Sequence, residues 1–406
     1  MEWIEMKEKT GSLAALSRLP SMRTRASGPL IALIALAALC SCALAQENTA
    51  EDWFNRGQEL MDNESYEEAL RAYDSAIELD PEDARFWMGK GDTQMRMGDY
   101  DEYLVTYEKA LDLINESLEA NPLDAEGWFV KGELLDRLYR YDGALESYNR
   151  SLEIDPTDKE VWFEKGNALD TAAVFQTQDP ERIRAYEDAI IAYDEALKLD
   201  PDYGNAWMGK GYSLSNLAAS NDDLVKFNES LKAFDKAIKL IPDNDTVNLA
   251  FAWEGRAVAL SNIGDALEDA GREDEANASR EEALESYDSA IELDPSFTGL
   301  EAQLNKAGDL AELGRYNESL DALDKLIETL PADFALFAAS VLEVKGNVLE
   351  MMGDYEGAII AFDRALEIDP SNMYAMQEKG SALQSLGRIS EAEAAFAEAE
   401  ELGYEE

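Results

Sequence analysis

From residue 50 onward, apolar residues recur at spacings of three and four, which sets Trp, Leu, aromatic and Ala side chains on one face of a helix. The pattern then repeats along the chain. Trp53, Trp87, Trp128, Trp162, Trp207 and Trp253 each stand four positions before a small residue: Gly57, Gly91, Gly132, Gly166, Gly211 and Ala257. Three further copies keep the frame without Trp and place Ala307, Gly346 and Gly380 there. In the undistorted copies a second small residue follows (Ala69, Ala144, Ala358, Ala392), then an aromatic one (Tyr73, Tyr148, Phe362, Phe396). Each copy reads as two antiparallel helices that cross closely at the small residues. Eight of the eleven prolines (Pro81, Pro122, Pro156, Pro201, Pro242, Pro295, Pro331, Pro370) end the second helix, since proline lacks the N–H donor and pushes its predecessor out of helical geometry.

In Ala125–Asp158 the residues Trp128, Gly132, Tyr141, Ala144, Tyr148 and Pro156 resemble the tetratricopeptide repeat, with Ser151 in place of that family's last Ala. The expected units are about 50–83, 84–124, 125–158, 159–203, 204–244, 250–297, 300–333, 339–372 and 373–406. The resemblance implies an all-α protein, a right-handed α-solenoid of about nine helix-turn-helix repeats. Four units depart from the common length. The second has seven extra residues around Asp112–Leu118, predicted to lengthen its second helix by two turns. The fourth has eleven extra around Phe175–Ala185, with Gln178-Asp179-Pro180 predicted as a turn, and the fifth and sixth have seven and fourteen. Such insertions are expected to project from one face, as decoration or as binding loops. The Ala- and Glu-rich end, Ala392–Glu401, reads as self-capping or as a docking surface.

The first 45 residues differ from the rest. Arg23 and Arg25, an apolar run Leu30–Leu39 and Ala43-Leu44-Ala45 are the parts of a secretory signal peptide, with Met22 an alternative start. The preferred mature chain begins at Gln46, and the protein is expected to be exported, extracellular or at the cell surface. Leu39-Cys40-Ser41-Cys42 also resembles a lipobox, in which Cys42 would be acylated and retained. Both cysteines lie in this segment, so the mature chain after Ala45 has no disulfide and no thiolate metal ligand.

Charge narrows the partners. With 35 basic against 86 acidic side chains the formal charge is −51, which repels nucleic acid and anionic lipid surfaces. Basic proteins, cationic polymers and multivalent cations fit better. Adaptation to a salty medium explains the same acidity equally well. The chain has no histidine, the commonest general base and metal ligand, and Gly89-Lys90-Gly91 and Gly209-Lys210-Gly211 are helix-crossing positions, not a phosphate-cradling loop. No enzyme activity, cofactor or metal site is expected.

The resemblance implies a groove lined by first helices, including the position after each Trp. That position reads Phe54, Met88, Phe129, Phe163 and Met208, then turns polar at Glu254, Glu343 and Gln377, with Leu304 between. This suggests an amphipathic partner, such as an extended peptide or a helix. The same side chains could equally pack between helices. The Lys and Asn clamp with which part of the family holds a terminal carboxylate does not carry over. A basic residue precedes every small one: Arg56, Lys90, Lys131, Lys165, Lys210, Arg256, Lys306, Lys345 and Lys379. It reads either as an anion-binding stripe or as a ladder of ion pairs with acids on second helices, such as Asp74, Asp194, Asp235, Asp288 and Asp363. Sequons at Asn63, Asn115, Asn149, Asn228, Asn244, Asn277 and Asn317 are candidate glycosylation sites, although Asn and Ser are also common at turns and helix starts. The expected function is a non-catalytic protein- or peptide-binding scaffold acting outside the membrane. The alternatives are a structural cell-surface component held by glycans, lipid or cation bridges, and a low-affinity calcium buffer without a defined loop.

Overall fold

The computed structural model describes residues 49–175, 179–220, 223–331 and 334–403. The signal segment with Met22, Cys40 and Cys42, and Gln178, lie outside them. The chain divides into two compact units at Pro81. The first holds one hairpin, α1 (Ala50–Asp62) and α2 (Tyr66–Leu79). Thr49 starts it with a reciprocal cap: its hydroxyl accepts from the Asp52 N–H at 3.1 Å, and the Asp52 carboxylate accepts from the Thr49 N–H at 2.8 Å.

The second unit, from Glu82 on, is a stack of eight such hairpins, and no strand occurs among the described residues. They are α3 (Ala84–Arg96) with α4 (Tyr100–Ala120), α5 (Ala125–Arg137) with α6 (Tyr141–Ile154), α7 (Lys159–Val174) with α8 (Asp179–Leu199), and α9 (Gly204–Ala219) with α10 (Leu224–Leu240). Next come α11 (Thr246–Asp269) with α12 (Glu273–Leu293), α13 (Phe297–Glu312) with α14 (Tyr316–Thr329), α15 (Ala335–Met351) with α16 (Tyr355–Ile368), and α17 (Met373–Ser385) with α18 (Ile389–Leu402). Each helix packs on the next in sequence, and the first helices of successive hairpins also touch. This is the α-solenoid that the repeats predict. The first helices α11, α13 and α15 begin three to four residues earlier than the sequence pattern places their units, at Thr246, Phe297 and Ala335.

The small residues and aromatics of the repeat meet at the crossing of each hairpin. A Cβ added to Gly91, Gly132, Gly166, Gly211, Gly346 or Gly380 would stand less than 3.0 Å from the ring of Tyr107, Tyr148, Tyr193, Phe234, Phe362 or Phe396 respectively. Between units, sequence chemistry is dense. Proline stops one helix, and the Asp or Asn two residues later caps the following one: Asp124 accepts from the Gly127 N–H at 3.1 Å, and Asn372 from the Ala375 N–H at 2.9 Å. The proline carbonyl is used as well. The indoles of Trp128, Trp162 and Trp207 donate to the carbonyls of Pro122, Pro156 and Pro201 at 3.0, 3.1 and 2.9 Å. In these three units the tryptophan thus ties its first helix to the linker before it.

Among the described residues the insertions go into longer helices, as expected for the second unit. The second helix α4 has 21 residues, against 14 in α6. In the fourth unit α7 has 16 and α8 has 21, and in the sixth α11 has 24 and α12 has 21. Asp179 and Pro180, expected within a turn, stand at the first two positions of α8, where proline's missing N–H costs nothing, and Gln178 lies outside the described residues.

Among the described residues, seven of the turns inside hairpins place one residue in the left-handed region. Gly98, Gly271, Gly314, Gly353 and Gly387 supply it, with φ between 71° and 79°. In the third unit the same place is held by Tyr139, with φ 58°. The first unit uses Glu64, with φ 56°.

Candidate binding face on the first helices

Within the stack from Glu82 on, first helices lie side by side, and polar groups bridge them. The Arg137 guanidinium on α5 donates to Asp92 on α3 at 2.8 Å, and the Tyr107 hydroxyl of α4 reaches the same carboxylate at 2.5 Å. Ser213 on α9 donates to Asp170 on α7 at 2.8 Å, joined by the Tyr193 hydroxyl at 2.8 Å. The Tyr212 hydroxyl donates to the Phe251 carbonyl at 2.6 Å and to Glu254 at 3.2 Å, and Ser261 donates to Asp309. Second-helix tyrosines therefore send their hydroxyls through the crossing to hold first-helix carboxylates.

Of those carboxylates Asp309 is buried and Asp92, Asp170 and Glu254 are half-buried, and burial sets the titration of several acids on this face. It pushes Glu133 up to about 7 against the pull of Arg137, with Glu164 and Asp92 adding to the rise. Burial likewise lifts Asp170 to about 6, opposed by the hydroxyls of Ser213 and Tyr193, and Asp309 to about 6, opposed by Ser261. Asp136, Glu164, Glu254, Glu312, Glu350 and Glu378 are raised by burial in the same way. Between α11, α13 and α15 the face opens into a cleft of about 350 Å³. Asp265, Asp309, Glu312, Ser261 and Asn305 give it polar walls, and Leu304 and Val344 an apolar part. The buried Arg280 donates to Asp265 and Glu268 at 2.6 Å each, and its Nε has no hydrogen-bond partner.

The five apolar groove residues are all half-buried. Phe129 lies 6.1 Å from the Tyr148 ring, and Phe163 lies 6.0 and 5.1 Å from those of Tyr193 and Tyr203. Phe54 lies 5.9 Å from Tyr73, and Met88 and Met208 pack on the core clusters of their own units. Each therefore shows one edge to solvent and packs with the other. The polar members are engaged by neighbours: Glu254 by Tyr212 and Asn305, and Glu343 by the Asn372 amide at 2.7 Å.

The basic row is a ladder between units. Lys210 pairs with Asp194 at 2.5 Å, Arg256 with Asp235 at 3.0 Å, Lys379 with Asp363 at 2.6 Å, Lys306 with Asp288, and Lys345 with Asp324. Each pair joins a first helix to the second helix of the preceding unit. Lys131, Lys165 and Lys210 also stand over the rings of Trp128, Trp162 and Trp207 at 4.9, 5.1 and 5.6 Å. Arg56 pairs with Glu59 on its own helix at 3.2 Å.

Of the sequon asparagines, Asn115 is half-buried on α4, and Asn63, Asn149, Asn228, Asn244, Asn277 and Asn317 are exposed. Four sequon serines have a packing reason of their own. Ser151, Ser230, Ser279 and Ser319 are buried and donate to the first-helix carbonyls of Ala125, Gly211, Leu260 and Ala307 at 2.6 to 2.8 Å.

Among the described residues, no helix is long and apolar enough to cross a membrane, and no group of three or more acids is placed to hold a metal ion. Stacked helical hairpins with a first-helix face define an α-helical repeat protein. Tetratricopeptide repeats are found at residues 54–102 and 106–159, and a second model of that repeat matches 339–372. Among solved structures, one of MamA is 23% identical, with 50% of this chain and 96% of that chain aligned and a TM-score of 0.35. A second MamA structure is 17% identical over 47% and 91% of the two chains, with a TM-score of 0.30. YrrB, described as a TPR protein with an unusual peptide-binding site, is 23% identical over 51% and 93%, with a TM-score of 0.29. No curated protein matches the chain.

Proposed function

We propose that this protein is a non-catalytic scaffold that binds a basic or amphipathic protein segment along the first-helix face of residues 82–406, and that it acts outside the membrane. The observation that carries the first part is the cleft between α11, α13 and α15, where Asp265, Asp309 and Glu312 stand beside Leu304 and Val344. A chain segment bearing cationic and apolar side chains complements both kinds of wall. Carboxylates whose charge is already penalised by burial gain most from a cation brought to them. Export rests on the basic, apolar and Ala-x-Ala pattern of the first 45 residues.

The test is isothermal titration with a Lys/Leu amphipathic peptide and its Glu/Leu counterpart, at low and high salt. The basic peptide should bind saturably, and the acidic one should not. Asp309→Asn with Glu312→Gln should weaken binding by about tenfold. Equal affinity of that variant would remove the cleft from the reading. Absence of any binding would turn the balance toward a structural surface component.

A further inference from the structure

A second cleft, of about 410 Å³, lies where the turn of the third unit meets the end of α7. Tyr139, Arg140, Tyr141, Asp142, Ala172 and Phe175 line it. The Tyr141 and Phe175 rings are stacked, 5.7 Å apart and 20° from parallel, and Tyr139 meets Tyr141 edge-on at 6.4 Å. Tyr139 and Phe175 are each 64% exposed, so their faces are open to a ligand.

We propose that this cleft binds an organic cation, an alkylammonium or guanidinium group received on the exposed ring surfaces of Tyr139 and Phe175, with Tyr141 stacked against Phe175. Three observations support it. First, Tyr139 occupies the left-handed turn position that five other hairpins give to glycine. A side chain is strained there, and the ring that Tyr139 carries in that place lines the cleft. Second, Phe175 exists at this place only because α7 is 16 residues long, against 13 in α5, which carries its end out beside the neighbouring turn. Third, the surrounding charge is negative. Asp142 lines the cleft, and the Asp136 carboxylate, one oxygen of which is buried without a partner, stands near Tyr141. The positive charge of Arg140 is taken up by Glu108. Aromatic faces flanked by carboxylates attract a desolvated cation and repel an anion.

The site shares no lining residue with the cleft between α11, α13 and α15, so its test stands apart from that of the proposed function. Choline and its uncharged isostere 3,3-dimethylbutan-1-ol are titrated into the whole protein, with the tyrosine and phenylalanine ring resonances followed by NMR. Capped Gly-Arg-Gly and Gly-Lys-Gly peptides form a second arm, and methyl glucoside a third. A cationic probe should bind saturably, about tenfold more tightly than the isostere. Tyr139→Gly removes a wall while relieving the backbone, so a folded variant that no longer binds is expected, and Phe175→Ala should lose binding as well. Asp309→Asn with Glu312→Gln should leave it unchanged. Preference for choline would assign the site to a free quaternary ammonium compound, and preference for the peptides to a basic side chain of a partner. Equal response to the isostere, preference for the glucoside, no saturable response, or undiminished binding by both ring variants would overturn the proposal.

Discussion

Gly132 on α5 lies so close to the buried ring of Tyr148 on α6 that a Cβ at Gly132 would stand less than 3.0 Å from it. The ring is enclosed on all sides and cannot step back. Gly132→Ala should therefore destabilise the protein by about 1–3 kcal/mol through overpacking. Gly308, on the helix α13, has no atom within 4 Å of such a Cβ. Gly308→Ala should stabilise by about 0.5–1 kcal/mol, because only the unfolded chain loses freedom there. Denaturant titration of both variants, one falling and one rising, checks the crossing geometry.

Trp162→Phe keeps an aromatic ring but loses the donor to the Pro156 carbonyl. A loss of about 1 kcal/mol is expected in equilibrium unfolding. No loss would mean that the indole contributes by packing alone.

Stability should rise as the solution is acidified from pH 8 to about 5.5. Glu133, near 7, and Asp170 and Asp309, near 6, take up protons in the folded protein before they would in the unfolded chain, where carboxylates titrate near 4. Their burial thus penalises the fold most above pH 7, and the penalty is removed as pH falls through those values. Melting temperature against pH should slope upward toward acid, and Glu133→Gln with Asp170→Asn should flatten the slope. Groups held below the carboxylate range, such as Asp200 beside Lys159, act in the opposite sense and only at lower pH.

The inter-unit pair Lys210–Asp194 should show a coupling of at most about 1 kcal/mol in a double-mutant cycle of Lys210→Met and Asp194→Asn, because the Asp194 carboxylate is well exposed. The coupling should shrink in high salt. Lys210→Met alone should cost more than Asp194→Asn alone, since it also removes the cation over Trp207.

Much of this was legible in the sequence because it is written nine times. One glycine before one tyrosine means little, but Gly91 with Tyr107 and Gly346 with Phe362 at the same separation describe a crossing. The basic row with acids on the second helices described an ion-pair ladder in the same way. The seven extra residues of the second unit were legible as added turns of helix, whereas Asp179-Pro180 has the composition of a turn and proline serves equally well at the start of a helix. The apolar row was only half legible: the spacing that puts Phe129 on the groove also puts it against Tyr148. The raised carboxylates escaped notice because Glu133 and Asp309 look, in one dimension, like any other acids of a very acidic chain. The aromatic cleft escaped for a different reason. Tyr141 and Phe175 belong to adjacent units, and only a longer α7 brings them together.

The growth of the fourth to sixth hairpins by helical turns has a practical consequence. Within the stack, the crossing of Gly166 on Tyr193 and of Gly211 on Phe234 is retained although seven or eleven residues have been added between its two partners. Spacing between neighbours is thus set near the glycine, and reach is set at the turn. The connection between α11 and α12, at Ala270 to Arg272, is therefore a natural port: a further antiparallel pair of turns, or a foreign helical hairpin carrying a tag or a binding motif, can be spliced in there without disturbing the packing below it.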